Sequence, residues 1–253
     1  MQRRYGWKPD LPDHRDFKFK RITAPMVALP SLVDLRAQCP PIQDQGNLGS
    51  CTAHAWSGAI SVCEIVHKCN PWNPSRLFIY YNERVIADDP VDQDSGAQLR
   101  DGAKALAQYG CCPEEEWPYI EQQFARKPSK KCFRDGAKRK IQNYERVEQN
   151  LMDMKSCLAE GFPFVMGFSV YDSFESDTVA QTGIVPMPKN EEQLLGGHAV
   201  LVVGYDDNKQ LFLVRNSWGT GWGQKGYFQM PYAYLINADL SSDFWTLRTG
   251  LGM

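Results

Sequence analysis

No stretch of this 253-residue chain is long and apolar enough to suggest a membrane-spanning helix. The longest near-continuous apolar run, residues 199–205, is seven residues and already contains Gly204, against the roughly 20 such a helix needs. Nor is there a surplus of charge of one sign. Lys and Arg number 28 and Asp and Glu 30, a formal net charge of -2, so no chain-wide field points to nucleic acid or to a membrane surface. The N-terminus is charged and lacks the apolar core of a secretory signal. A cytoplasmic protein, or one exported by another route, is the expectation, and the compartment itself stays unknown. Repeats and low-complexity tracts are missing. Cysteines number eight, too few for a disulfide scaffold at this length. If one is a working thiol, the odd number left cannot all pair within the chain, and the redox compartment stays open. The composition, 43% apolar and 23% charged, excludes a mostly disordered chain, a collagen-like repeat and a coiled coil.

What is present falls into segments of different character. The first 41 residues hold six of the sixteen prolines and show neither helical nor alternating apolar periodicity, and residues 1–28 read as an extended N-terminal segment. Tyr5, Trp7, Phe17 and Phe19 give it side chains to bury. A first helix is expected from Ser50, with Ala55, Trp56, Ala59, Ile60, Cys63 and Val66 inside. A second should follow Pro74 and Ser75, with Leu77, Phe78, Tyr81 and Val85 on one side. A third should cover residues 98–109 and close at Gly110, and a shorter one residues 148–160 before Gly161. From Phe164 onward strands are expected at residues 164–170, 199–205, 210–214 and 227–230, with residues 206–209 as a hairpin connection. Helices first and strands second argue for an α+β chain with a helical lobe and a strand-rich lobe.

Three stretches carry chemistry. In residues 45–56 a glycine-containing turn delivers Cys51 to the first turn of an apolar helix. Unpaired N–H groups and the positive end of the helix dipole should lower a thiol pKa there. In residues 196–205 His198 heads a β-rich run, placed for a lobe edge. In residues 215–223 Asn216 can accept from one imidazole nitrogen and fix the tautomer, leaving the other for the thiol. Taken singly, each has a bland reading: an inert buried thiol, a satisfied histidine, an aromatic glycine-rich loop that only packs.

Together they resemble the papain-like cysteine peptidases. The glutamine-to-cysteine stretch at 45–51, Gly197-His198-Ala199 and the run Asn216-Ser217-Trp218-Gly219-Thr220-Gly221-Trp222-Gly223 carry the resemblance, and residues 29–36 are similar to the start of a mature domain. His198 lies 147 residues and Asn216 165 residues beyond Cys51, near the spacing of that family. The resemblance implies a two-lobe fold, with a helical lobe over about 45–140 and an antiparallel, barrel-like lobe over about 141–253 plus 29–44. The active site would lie in the cleft between them. It implies Cys51 as nucleophile, His198 as base, Asn216 orienting His198 and Gln45 in the oxyanion hole. Gly96, Gly197, Ala199 and Trp218 would bind peptide substrate, with no cofactor and no metal. Leu48 stands where the family commonly has a disulfide cysteine, Thr52 stands where an aromatic residue usually follows the nucleophile, and only Gly96 stands for the family's Gly-Gly segment.

The implied function is a cysteine endopeptidase. The alternatives are an exopeptidase, or a silent relative that binds peptides or a partner; a transglutaminase-type site would carry Asp where Asn216 stands. His54 shares a helix face with Cys51 but leans the same way, which suits packing better than base catalysis. Cys63, His67 and Cys69 form one loose cluster, short of the two ligand pairs typical of zinc. Residues 126–140 hold eight basic side chains and one acid: a solvated face, or a site for an anion or nucleotide without a phosphate loop. Residues 1–28, too short for a long helical prodomain, are expected to be either a short propeptide lying as a lid in the cleft or a strap behind a lobe.

Overall fold

The structure, a computed structural model, describes residues 4–20, 28–68 and 72–249. A two-residue strand β1 (Trp7–Lys8) and a short strand β2 (Leu32–Asp34) precede helices α1 (Cys51–Val66) and α2 (Arg76–Ile86). Then come β3 (Ala97–Gln98), α3 (Leu99–Tyr109) and α4 (Lys130–Gly136). The remainder runs β4 (Ile141–Arg146), α5 (Leu151–Ala159), β5 (Phe164–Tyr171), α6 (Asp177–Thr182), β6 (Leu194–Asp206), β7 (Leu211–Arg215), β8 (Tyr227–Pro231), α7 (Tyr232–Ile236) and β9 (Ser241–Thr249). The α+β expectation holds.

The helices form where local chemistry places them. Every residue from 51 to 63 is buried, so α1 is a core helix packed on all sides rather than an amphipathic surface helix. Ser50 precedes it but makes no side-chain cap; its hydroxyl pairs instead with the Tyr119 hydroxyl at 2.7 Å. Ser75 does cap α2, accepting from the Phe78 N–H at 3.2 Å. Leu77, Phe78 and Tyr81 point inward, but Val85 is 39% exposed because it falls in the last turn, where α2 leaves the core. Gly110 closes α3 at φ +67°, where an added Cβ would stand 1.9 Å from the Gly136 carbonyl oxygen.

All of the larger strands join one seven-stranded sheet, in the order β4-β9-β5-β6-β7-β8 with β2 paired to β6. Every pairing in it is antiparallel. The expected antiparallel sheet is present without closing into a barrel, since β4 and β8 do not pair among the described residues. The connection between β6 and β7 is the expected hairpin, with Asp206 Oδ1 accepting from the Asn208 N–H at 3.0 Å. Long β6 pairs β5 through residues 194–202, with a register shift near its start, and β7 through 201–206, and α1 packs against it. That packing brings the start of α1 beside Ala199.

The basic run 126–140 contains α4. Asp135 pairs with Lys131 and Lys138 at 3.0 and 2.8 Å. Arg126 and Arg139 lie over the Trp117 and Trp72 rings. At least half of the run's cations are thus engaged locally. Of the metal candidates expected from the sequence, Cys69 lies outside the described residues, Cys63 faces the Leu247 carbonyl at 3.8 Å, and His67 packs on Phe162.

Candidate active site

Cys51 opens α1 and is fully buried. Burial pushes its thiol up to about 11, while hydrogen bonds from the Ala199, Gly6 and Thr52 backbone pull the other way. The expected lowering by the helix N-terminus is therefore overturned in this form, in which Gly6 of the N-terminal segment sits on the sulfur. Desolvation outweighs the dipole because no water reaches the thiol.

His198 is fully buried on β6. Its Nε2 meets Asn216 Oδ1 at 2.8 Å, and the same oxygen accepts from the Ser217 N–H at 2.8 Å. An oxygen already receiving one proton and receiving a second from Nε2–H fixes the tautomer, so Nδ1 carries the in-plane lone pair of the neutral ring. Trp218 stacks on the imidazole at 4.9 Å and 23°, excluding water from that bond. Gln45 is buried and held at both ends: its Oε1 accepts from Ser217 Oγ at 2.7 Å, and its Nε2 donates to the Leu48 carbonyl at 2.8 Å and to the Arg4 carbonyl at 3.3 Å. All four residues singled out for catalysis thus belong to one neighbourhood, joined through Ser217 and Ala199.

His54, in contrast, turns away. Its Nδ1 lies 2.9 Å from the Ser50 carbonyl, its ring meets Tyr119 edge-on, and burial beside Arg76 holds its pKa down at about 3. Thr52, the residue after Cys51, donates its hydroxyl to buried Glu83 at 2.8 Å. Burial pushes the Glu83 carboxyl up to about 8.

The groove over this neighbourhood holds residues 4–8. β1 pairs in parallel with β3, Trp7 opposite Ala97, and the Gly6 carbonyl accepts from the Ala97 N–H at 2.7 Å. A Cβ on Gly6 would lie 1.7 Å from the Gly49 carbonyl oxygen, so only glycine passes between Gly49 and Gly96. Tyr5 lies edge-on to His198 and its hydroxyl bonds Glu175. The Trp7 ring rests on Gly167 and Gly197, and its Nε1 donates to Asp243 Oδ2 at 3.1 Å. Arg4 pairs with Asp94, whose carboxylate also accepts from the Gly49 N–H at 3.0 Å. Thus Gly96, Gly197, Ala199 and Trp218 all touch or flank the segment or the thiol.

Past the groove the same segment is anchored by ions. Asp10 pairs with Arg146 at 3.0 Å and accepts from Trp245 Nε1 at 2.8 Å, while its own N–H donates to Asp243 at 2.8 Å. Asp16 pairs with Arg100 at 2.6 Å and with Arg146 at 3.0 Å. Phe19 is buried, but Phe17 is 71% exposed, against the expectation that both would bury. The sequence patterns above did not point to this cluster. The available signal was the recurrence of Asp10, Asp13 and Asp16 in an otherwise extended segment.

The fold, with a thiol at a helix start beside the Ala199 backbone and an Asn-tethered histidine one residue earlier on the same strand, is shared with known cysteine proteases. The family profile of papain family cysteine proteases matches residues 29–241, and the chain belongs to that family; it is a cysteine protease hydrolase. It is 45% identical to xylellain, a cysteine protease from Xylella fastidiosa, whose crystal structure superposes with a TM-score of 0.91 over 97% of this chain and 96% of that one. An uncharacterized peptidase C1-like protein of Acanthamoeba polyphaga mimivirus is 40% identical over 98% of this chain and 88% of its own length. Chymopapain of Carica papaya is 28% identical over 86% of this chain and 58% of its own.

Proposed function

We propose that the protein is a cysteine endopeptidase whose N-terminal segment holds it latent. Once the groove is vacated, His198 Nδ1 accepts the Cys51 proton and the thiolate attacks the substrate carbonyl carbon. The developing oxyanion takes hydrogen bonds from Gln45 Nε2 and the Cys51 backbone N–H. The imidazolium then protonates the leaving amine, giving a thioester. His198 next takes a proton from water, hydroxide displaces the sulfur, and Cys51 recovers its proton as the acid product leaves. Asn216 keeps the ring oriented throughout.

The observation that carries this reading is Gln45. One of its N–H groups is spoken for by Leu48, and the other already points at a peptide carbonyl, that of Arg4, beside the start of α1. Endopeptidase action is favoured because the segment in the groove is internal to a continuous chain, which runs on in sequence beyond both Arg4 and Lys8. Gly96, Gly197, Ala199 and Trp218, which now flank that chain, would flank a substrate.

The test is labelling by an epoxide directed at cysteine protease thiols, read by intact mass, on the full chain, on a form lacking residues 1–28 and on Cys51→Ala. One adduct forming fast on the shortened form, slowly on the full chain and never on Cys51→Ala is expected. Equal slow labelling of all three would overturn the proposal in favour of a silent peptide-binding relative. On the shortened form, Gln45→Ala should lower kcat about a hundredfold or more. Peptides capped at both ends should remain substrates.

A further inference from the structure

Cys112, Glu116 and Cys132 lie outside the groove, and nothing in the protease chemistry uses them. Their ligand atoms, two sulfurs and a carboxylate oxygen, all fall within 4.8 Å of one another. Both cysteines are buried. The Glu116 carboxylate is divided: Oε1 takes Lys131 Nζ at 2.5 Å, and Oε2 is buried with no hydrogen-bond partner among the described residues. A buried carboxylate oxygen without a donor is costly and calls for a cation. Ser129 Oγ lies 3.1 Å from the Cys132 sulfur, and that sulfur is 3.6 Å from the Glu116 carbonyl.

We propose that Cys112, Cys132 and Glu116 bind one soft divalent cation, zinc by chemistry, as a structural staple of the helical region. Thiolate–zinc bonds of about 2.3 Å and carboxylate–zinc bonds of about 2.0–2.2 Å in a tetrahedron put ligand atoms roughly 3.5–3.8 Å apart. The present cluster is within about 1 Å of that spacing. Ser129 Oγ or water completes four-coordination. On binding, each thiol loses its proton: two cysteine S–H groups and one Zn²⁺ give two Zn–S bonds and two protons released to solvent. The resulting anionic centre sits beside Lys131, with Cys132 itself in the basic run 126–140.

The staple has a mechanical purpose. Cys112 is tied to the start of α2, where the Ser75 N–H donates to its carbonyl at 2.9 Å, and Cys132 sits in α4, only seven residues long. A metal joins that short helix to the helical core. A simple disulfide between the two cysteines is the competing chemistry, but it would leave the Glu116 oxygen buried against sulfur with nothing to bind.

The experiment is a Zn²⁺ titration of reduced, metal-stripped full-length protein against a chromogenic chelator, on a Cys51→Ala background so that the groove thiol takes no metal. Co²⁺ replaces Zn²⁺ in parallel, to read thiolate-to-metal charge-transfer absorption. One equivalent of Zn²⁺, a thermal midpoint raised by it, and an affinity that climbs with pH are expected. Cys112→Ser and Cys132→Ser should each lose the equivalent. Glu116→Gln keeps both thiols and should fold even if the cysteine variants do not; a tenfold or greater loss of affinity is expected there. No bound equivalent, full affinity in Glu116→Gln, or a mass two hydrogens lower with 112 and 132 linked in unreduced protein would each overturn the proposal.

Discussion

The N-terminal segment is held at its two ends by different physics. Residues 4–8 lie in the groove through backbone pairing to β3, a glycine-only passage and ring contacts, and their charged partners, Arg4 to Asp94 and Lys8 to Asp89, involve half-exposed cations. Residues 10–19 are fixed by a buried network in which Arg100 and Arg146 face Asp10, Asp16 and Asp243. In the latent form proposed above, the first end would set what is covered and the second how long it stays covered. Exposed ion pairs contribute little, about 0–1 kcal/mol. Removing one member of a buried network costs about 3–5 kcal/mol, because the remaining charges are left uncompensated. Occlusion and retention are therefore separable by mutation.

The largest effect tests what lies beneath the groove end. With residues 1–28 removed, Cys51→Ala should lower kcat/KM by about a millionfold, the scale for deleting a nucleophile. A loss below tenfold would mean the groove end covers something other than the reacting group. Next is the anchor: Arg146→Met leaves three carboxylates facing Arg100 alone, and full-length activity on an internally quenched peptide should rise about a hundredfold or more. Lys8→Ala, at the exposed end, should change it less than about fivefold, and equal effects would erase the distinction between the ends.

Gly6→Ala attacks occlusion directly. Its Cβ cannot fit beside the Gly49 carbonyl, and overpacking of about 1–3 kcal/mol should raise full-length activity about tenfold. Slow amide exchange of residues 10–19 should persist in that variant, since the anchor is untouched.

A further effect is in pH. Burial and Asp10 push Asp243 up to about 6, against the pull of the Asp10 N–H, Arg146 and Trp7. When the segment leaves, Asp10 and Trp7 go with it and water returns, so the Asp243 pKa falls toward the ordinary carboxylate range. The docked form then binds the proton more tightly: docking is strongest below that range and weakens as pH rises to about 6. Only part of the shift comes from the segment, so the activity ratio of full-length to shortened protein should rise about tenfold across that window. A flat ratio would remove Asp243 from the latch.

Much of the active-site neighbourhood was legible because its chemistry is local. A cysteine after a glycine-containing turn, a histidine at a strand head and an Asn-Ser-Trp run each declare themselves within ten residues, and Gly110 and Gly161 mark helix ends by their backbone needs. The anchor was not legible, because Trp7 meets Asp243 across 236 residues and Asp10 meets Trp245 across 235. Separations of that size are set by the tertiary fold, and no short pattern encodes them. β4 and β9 escaped for a related reason. β4 reads Ile-Gln-Asn-Tyr-Glu-Arg with one buried residue, and only pairing with β9 makes it a strand. The Cys51 thiol was misjudged because the helix dipole is visible in sequence while the glycine lying over the sulfur is not.

Gly6 occupies its passage while covalently joined, through residues 9–28, to the domain it covers. A tethered ligand faces its site at an effective concentration on the order of millimolar, so residues 4–8 need only weak intrinsic affinity to keep the groove filled. One cut in the tether turns that local concentration into the bulk concentration of the protein, many orders lower in dilute solution. Dilution then completes what the cut begins, and a single broken peptide bond becomes a commitment that refilling the groove by chance encounter cannot reverse.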